Sequence, residues 1–466
     1  MKKFIVSAVL LGAAASAQAA DLPTKAPFYK APVAQVYDWT GFYIGANAGV
    51  GFGRSATTVL VQVPSETSRF GGLGALGGGQ IGYNRQFNNL LGFNNVVLGL
   101  EADIQGSGLR DDRSCGFGNC ATTGFLYDQK LDWFGTVRGR VGLATGPVLS
   151  YFTGGFAYGS AKTSFNLPTA PGESATFSNT RTGWTIGSGV EASLGGNWTG
   201  KIEYLYLDLG NQSGISPGGA YTFGSDIREQ IFRVGVNYRI GGNAVYTPAP
   251  TANWAGLYIG GNAGGATALN RSSFGVGALN EKFNLSPDGF IGGAQIGYNF
   301  QAANFVHGVE TDFQGSSLRD DKNCLVTCQP SLFATFDQKL QWFGTVRGRA
   351  GYALGSSLFY VTGGLAYGNV KTRVQESLGG SFIDTTFDRT KTGYVVGGGI
   401  ESPLDFLGLL GPNWTTKTEY LFVDLGRTTD TYTLAGAEHS FSTKVQEHVF
   451  RTGLNYHFNS PVVAKY

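Results

Sequence analysis

The stretch WFGTVRGR occupies residues 133–140, and the same eight letters return at 342–349. Read as an extended strand, the first copy sets Trp133, Gly135, Val137 and Gly139 on one face and Phe134, Thr136, Arg138 and Arg140 on the other, because strand side chains alternate with a period of two. Two arginines thus share one face of a segment whose other face is aromatic, valine and glycine. An environment that is apolar outside and polar inside would suit such a strand, and it is needed twice.

The rest of the chain repeats as well. DWTGFYIGANAG at 38–49 returns as NWAGLYIGGNAG at 253–264, and GGGQIGYN at 77–84 as GGAQIGYN at 292–299. DQKL, the TGG-x-AYG strand, NWT-x-K-x-EYL and FR-x-G-x-NY recur in the same order, so the duplication covers nearly the whole chain. The organisation expected is a first repeat at 38–240, a Pro- and Ala-containing linker at 241–252, a second repeat at 253–458 and a C-terminal extension at 459–466.

Ahead of the repeats, Lys2 and Lys3 precede an apolar run from Phe4 to Ala15, and Ala17-Gln18-Ala19 supplies small residues at −3 and −1. This predicts a signal peptide over 1–19, with an uncleaved anchor as the alternative, followed by a Pro/Ala-rich segment at 20–37. Two of the 34 basic residues leave with the signal, so 32 remain against 32 acidic ones. A neutral chain of this kind gives no footprint for nucleic acid.

Seventy-three glycines, 13% aromatic residues and only 14% charged residues depart from a soluble enzyme, whose charged fraction is about a quarter. No window after the signal is apolar enough for a membrane helix. Alternating strands satisfy both facts, since a transmembrane β-barrel needs only about ten alternating residues per crossing. Eight strands are expected in the first repeat, near 40–52, 72–87, 95–108, 124–143, 148–161, 180–194, 198–210 and 226–240. Connectors at 53–71, 109–123, 162–179 and 211–225 read as long polar loops, and those between them as tight turns. The fold class expected is all-β, a transmembrane up-and-down antiparallel barrel built as two eight-stranded repeats in tandem. One 16-stranded barrel is the alternative.

Charge separates this from a soluble sandwich, which has the same period with its apolar face inward. Glu101, Asp103, Arg138, Arg140, Glu191, Lys201, Glu203 and Arg233 fall mid-strand on the polar phase, and Glu310, Asp312, Arg347, Arg349, Glu401, Lys417, Glu419 and Arg451 repeat them. Buried charge is tolerated when paired, so these residues are expected to face one another across narrow lumens.

The signal, W-x-G-x-Y-I-G-x-N-A-G, WFGTVRGR, TGG-x-AYG and FR-x-G-x-NY together resemble the small outer-membrane β-barrel family of opacity-like surface antigens from Gram-negative bacteria. The resemblance implies the barrel fold and outer-membrane location, with lipid as the partner of the barrel wall and the long loops open to an extracellular ligand or a host surface. Some members are porin-like and some are described as haem-binding. Members are usually one barrel long and end on the aromatic of the last strand; here two copies stand in tandem, and residues follow Phe458 as far as Tyr466.

Other chemistry is sparse. Cys115 with Cys120, and Cys324 with Cys328, fall in the second long loop of each copy without histidines beside them, which favours one disulfide per loop over zinc. Leu109-Arg110-Asp111-Asp112 and Leu318-Arg319-Asp320-Asp321 read as a solvated loop base, with cation binding as the alternative. Of the histidines, His439, expected in a loop beside Phe441, is the best haem candidate, but a lone histidine does not make a site. No catalytic constellation recurs, and no cofactor is expected. Three functions stay open: a structural or surface-exposed protein with charge-plugged lumens, a 16-stranded diffusion porin, or a receptor or adhesin.

Overall fold

The computed structural model describes residues 37–53, 55–61, 65–70, 72–90, 95–114, 126–166, 170–241, 252–277, 279–329, 332–404 and 411–459, with backbone alone in parts of the outer strands. The expected signal peptide, N-terminal segment, linker and C-terminal extension lie outside the described residues, apart from Tyr37, Gly241, Ala252 and Asn459.

The first copy contributes β1 (Gly41–Gly53), β2 (Ser55–Val61), β3 (Ser65–Phe70), β4 (Leu73–Phe87), β5 (Val96–Ser114), β6 (Leu126–Thr145), β7 (Val148–Asn166), β8 (Ala175–Gly195), β9 (Trp198–Ile215) and β10 (Tyr221–Ile240). The second contributes β11 (Gly256–Ala268), β12 (Asn270–Val276), β13 (Leu279–Leu285), β14 (Asp288–Ala302), β15 (Phe305–Gln329), β16 (Leu332–Leu354), β17 (Ser357–Leu378), β18 (Ser381–Pro403), β19 (Trp414–Leu434) and β20 (Ala437–His457). In each copy eight antiparallel strands form a ring. The first ring closes where β1 meets β10, from Phe42 opposite Ile240 to Gly53 opposite Glu229. The second closes where β11 meets β20, from Tyr258 opposite His457 to Ala268 opposite Glu447. Closure within each copy excludes the single 16-stranded barrel, because no strand edge is left over to join the rings.

Alternation sets the outer wall. Leu100, Phe152, Ile186 and Val234 point outward and are exposed, while the arginines and carboxylates on the opposite phase are buried. No described helix is long and apolar enough to cross a membrane.

Among the described residues, the segments expected to be long loops are mostly strand. Residues 109–114 continue β5 and pair with Leu126–Leu131, while Ser55–Val61 and Ser65–Phe70 pair as β2 and β3, and β2 adds to β10. Cross-strand ion pairs support these extensions: Arg110 bonds Asp128 at 2.5 Å, and Arg319 does the same to Asp337. Near the tip, Arg373 donates to Asp384 from Nε at 2.8 Å, and this hydrogen bonding holds the Asp384 carboxyl below its usual range. In the second copy the extended sheet keeps an apolar inner face, where Phe336, Val374 and Phe441 pack with the β12–β13 hairpin.

A one-residue slip between Leu131 and Trp133 turns both Leu131 and Phe134 inward, which an unbroken period of two forbids. The same slip lies between Leu340 and Trp342.

Cys115 and Cys120 lie outside the described residues. Cys324 and Cys328 fall within the outer part of β15 rather than in a loop, and their side chains are likewise outside the description. Between Leu325 and Gln329 β15 advances four residues while β16 moves only from Ala334 to Leu332. From their local spacing in an exported chain, an unreduced digest analysed by mass spectrometry is expected to link Cys324 to Cys328 and Cys115 to Cys120. Free thiols, or a link between copies, would refute this pairing.

Candidate functional site

The lumen of each ring is the most chemically loaded part of the molecule, and it is filled. At the turn-side mouth the chain before β1 folds inward. Trp39 packs with Leu149 and Tyr151, and its indole N–H donates to the carbonyl of Gly146 at 3.1 Å. Trp254 occupies the equivalent mouth with Leu358 and Tyr360.

Above this cap lie four carboxylates and four cations. Arg138, on β6, donates to Glu101, to Asp103 at 2.9 Å and to Glu203 at 3.1 Å, with Nε on the Thr136 hydroxyl at 2.8 Å. Arg233 reaches Glu203 at 2.6 Å and Asp103 at 2.8 Å. Lys201 donates to both oxygens of Glu101, at 2.8 and 2.9 Å. Arg140 donates to Glu191 and to the Tyr43 hydroxyl, each at 2.8 Å, and lies 3.9 Å from the centre of the Tyr151 ring. Arg138 is 1% exposed, so these pairs are out of solvent. The sheet leaves room for it: opposite Arg138 stands Gly155, where a Cβ would run into the backbone of Val137 and Arg138.

The second lumen repeats the arrangement. Arg347 donates to Glu310, to Asp312 at 3.0 Å and to Glu419 at 2.8 Å; Arg451 binds Asp312 at 2.8 Å and Glu419 at 2.7 Å. Lys417 holds Glu310 at 2.8 Å, and Arg349 holds Glu401 at 2.9 Å. One position differs. Arg239 of the first copy stacks over Tyr37 and bonds the backbone of the entering chain, whereas His457 places Nε2 2.9 Å from Glu401.

The sixteen charged residues singled out in the sequence are therefore brought together in two sets of eight. Sequence reading missed the tyrosines. Tyr43 donates to Glu101 and Tyr151 to Glu203, each at 2.8 Å, and Tyr258 and Tyr360 donate to Glu310 and Glu419 at 2.7 and 3.0 Å. Their inward phase was available, since Tyr43 is four residues from inward-facing Asn47. Also missed was the neutral chain Asn47 to Gln80 to Asn237, which ends on Glu191.

Outward of the charges each lumen carries an apolar layer, with Gln105 and Glu229 beside it in the first ring and Gln314 and Glu447 in the second. Leu205, Leu207 and Leu209 share the phase of Glu203 and pack with Phe134 and Leu131. Leu421, Val423, Leu425 and Phe343 do the same in the second ring. Charge alone was expected to plug the lumens; the plug is a layered core.

His439 does not lie in a loop. It sits in β20, 0% exposed, with Nδ1 2.9 Å from Glu376 and its ring beside Phe274 and Tyr432. The β12–β13 hairpin covers this region through Phe274 and Phe283, which pack on Phe336 and Phe441. A haem iron would have no route to that imidazole. Among the described residues no cluster of three His, Cys, Asp or Glu is placed to hold a metal.

The family model for an outer membrane protein β-barrel domain matches twice, over residues 5–239 and 240–458. A 31 kDa outer-membrane immunogenic protein of Brucella melitensis is 39% identical over 220 residues, covering 45% of this chain and 86% of the relative. A 25 kDa outer-membrane immunogenic protein of the same organism is 30% identical, covering 50% and 96%. A 22 kDa outer membrane protein of Rhizobium leguminosarum is 31% identical, covering 45% and 82%. Among solved structures, Neisserial surface protein A aligns with 44% of this chain and 98% of its own at 15% identity and a TM-score of 0.20. A Pseudomonas aeruginosa FadL homologue aligns with 90% of this chain and 91% of its own at 10% identity and a TM-score of 0.27.

Proposed function

This chain belongs to the outer-membrane β-barrel domain family, and from that membership and its two filled lumens we propose that it is a structural, surface-displaying protein of the outer membrane rather than a pore or an enzyme. The observation that carries the reading is the layered plug. A porin needs a continuous polar, water-filled lumen, and here Trp39, the Arg138 network and the Phe134 layer stand one above another in a single eight-stranded ring. Such a ring is just wide enough for side chains to fill it.

What remains for interaction is the outer surface. Strands such as β15, β17 and β18 run 22–25 residues, about twice what a membrane crossing requires, and the excess presents polar sheet and hairpins beyond the lipid. We assign contact with an extracellular ligand or host surface to these extensions. The buried setting of His439 weighs against haem as that ligand.

Planar-bilayer recording on refolded protein tests this directly. No steady steps of porin size are expected from the full-length protein. Large, long-lived steps at low voltage would overturn the plugged reading in favour of a channel.

A further inference from the structure

We propose that the two barrels of one chain dock side by side in the membrane through a pseudo-twofold seam built on β1, β9, β10, β19 and β20. Side chains at its centre point away from their own lumens, as lipid-facing residues do, yet they are buried. Phe52, Phe232 and Phe450 are 2%, 6% and 5% exposed, against 67% for outward-facing Leu100 on the far wall of the first ring. Phe232 and Phe450 hold equivalent positions, each just before a network arginine, and their ring centres are 6.0 Å apart. Tyr204 and Tyr420 are equivalent too. Tyr204 lies 5.3 Å from Phe450, and Tyr420 lies 5.5 Å from Phe232. Equivalent residues that exchange roles across a contact define an isologous interface.

In lipid, two apolar surfaces gain nothing from leaving water, so close packing must hold such a contact, and the aromatic rings supply it. Gln230 and His448 are equivalent, and both sit on the outward phase, where a polar side chain facing acyl chains is unfavourable. Each is satisfied within its own barrel by the tyrosine that packs across the seam: the Tyr204 hydroxyl donates to Gln230 at 3.4 Å, and the Tyr420 hydroxyl and His448 Nδ1 are 2.7 Å apart.

One contact breaks the symmetry. The Phe52 ring centre lies 4.0 Å from that of His448, while the residue equivalent to Phe52 in the second copy is Thr267. The aromatic contact is thus available only when a first barrel meets a second barrel, which disfavours like-with-like pairing. A short connection between Ile240 and Gly256 keeps the correct partner at high effective concentration.

The test uses the full chain with a protease site inserted in residues 241–252 and the photo-cross-linker p-benzoylphenylalanine in place of Phe232. The protein is refolded into phospholipid vesicles, irradiated and then cut. The halves are expected to stay joined on a denaturing gel, with the link mapping near Tyr420 and Phe450. The same cross-linker in place of Leu100 is expected to join them at least tenfold less. Adding Phe450→Ala and Tyr420→Ala is expected to reduce joining severalfold while both halves keep their heat-modifiable mobility, which separates loss of the seam from loss of folding. Halves that part after irradiation, equal joining from positions 232 and 100, or links that join two whole chains instead of two halves would each overturn the proposal.

Discussion

Replacing Arg138 with alanine is expected to destabilise the first barrel by roughly 3–5 kcal/mol, the range for removing one partner from a buried, hydrogen-bonded charge set. Arg138 donates hydrogen bonds to all three of Glu101, Asp103 and Glu203, whereas Arg233 hydrogen-bonds Asp103 and Glu203 and lies 3.5 Å from Glu101. Without it, four carboxylates face three cations in a space closed to water above and below. Lys201 and Tyr43 still serve Glu101, and Tyr151 and Arg233 still serve Glu203, so Asp103, which is left sharing Arg233 and whose Oδ1 already lacks a hydrogen bond, becomes the least compensated carboxylate. Arg138→Ala combined with Asp103→Asn is therefore expected to recover part of the loss. Arg347→Ala, with Asp312→Asn as its partner change, is expected to act likewise on the second barrel. Urea titrations in detergent, read by gel mobility, measure the shift. An Arg138→Ala protein with unchanged midpoint and new ion conductance would mean that the residue lines a wet channel.

Residues 20–240 alone are expected to fold in detergent, and a fragment ending at residue 220 is expected to give no folded form at all. The difference between them is β10, which pairs with both β1 and β9. Its removal exposes two strand edges to a medium that cannot hydrogen-bond them, at several kcal/mol for each group left unsatisfied. Heat-modifiable mobility on detergent gels distinguishes the two fragments. Equal behaviour of both, or folding by the full chain alone, would contradict independent closure of the rings.

The barrel was legible because lipid and lumen read alternate residues of one strand, and a run such as Leu98, Leu100, Ala102, Ile104 against Glu101 and Asp103 has one satisfactory orientation. Mid-strand charge identified the inner phase. The outer strand extensions were not legible, because segments such as Leu109-Arg110-Asp111-Asp112 are polar enough to read as loop. Arg110 and Asp111 look like loop residues until Asp128, far along the chain, pairs with the first of them. The inward turn of both Leu131 and Phe134 was hidden by a bulge that a fixed period cannot represent. The apolar layer of Leu205, Leu207 and Leu209 was available from its phase with Glu203, but a charge-filled lumen gave no reason to look for it. The seam was hidden for another reason. Phe232 beside a second barrel and a phenylalanine beside acyl chains carry the same sequence signature.

Two closing strands in one chain pose a sorting problem during assembly. β10 and β20 both carry FR-x-G-x-NY, and β1 and β11 both carry YIG-x-NAG, so backbone hydrogen bonds alone would let β10 zip onto β11 and β20 onto β1. That mispaired product would satisfy every strand edge and differ mainly in circumference. The eight charges discriminate against it. Arg138 on β6 reaches Glu203 on β9, and Arg233 on β10 reaches Asp103 on β5, only across a narrow ring. Doubling the circumference would pull these partners apart and empty the tryptophan and leucine layers with them. The side chains that seal each lumen thus also act as a gauge of its width, rejecting the wrong partner strand on size where the strands themselves cannot tell it from the right one.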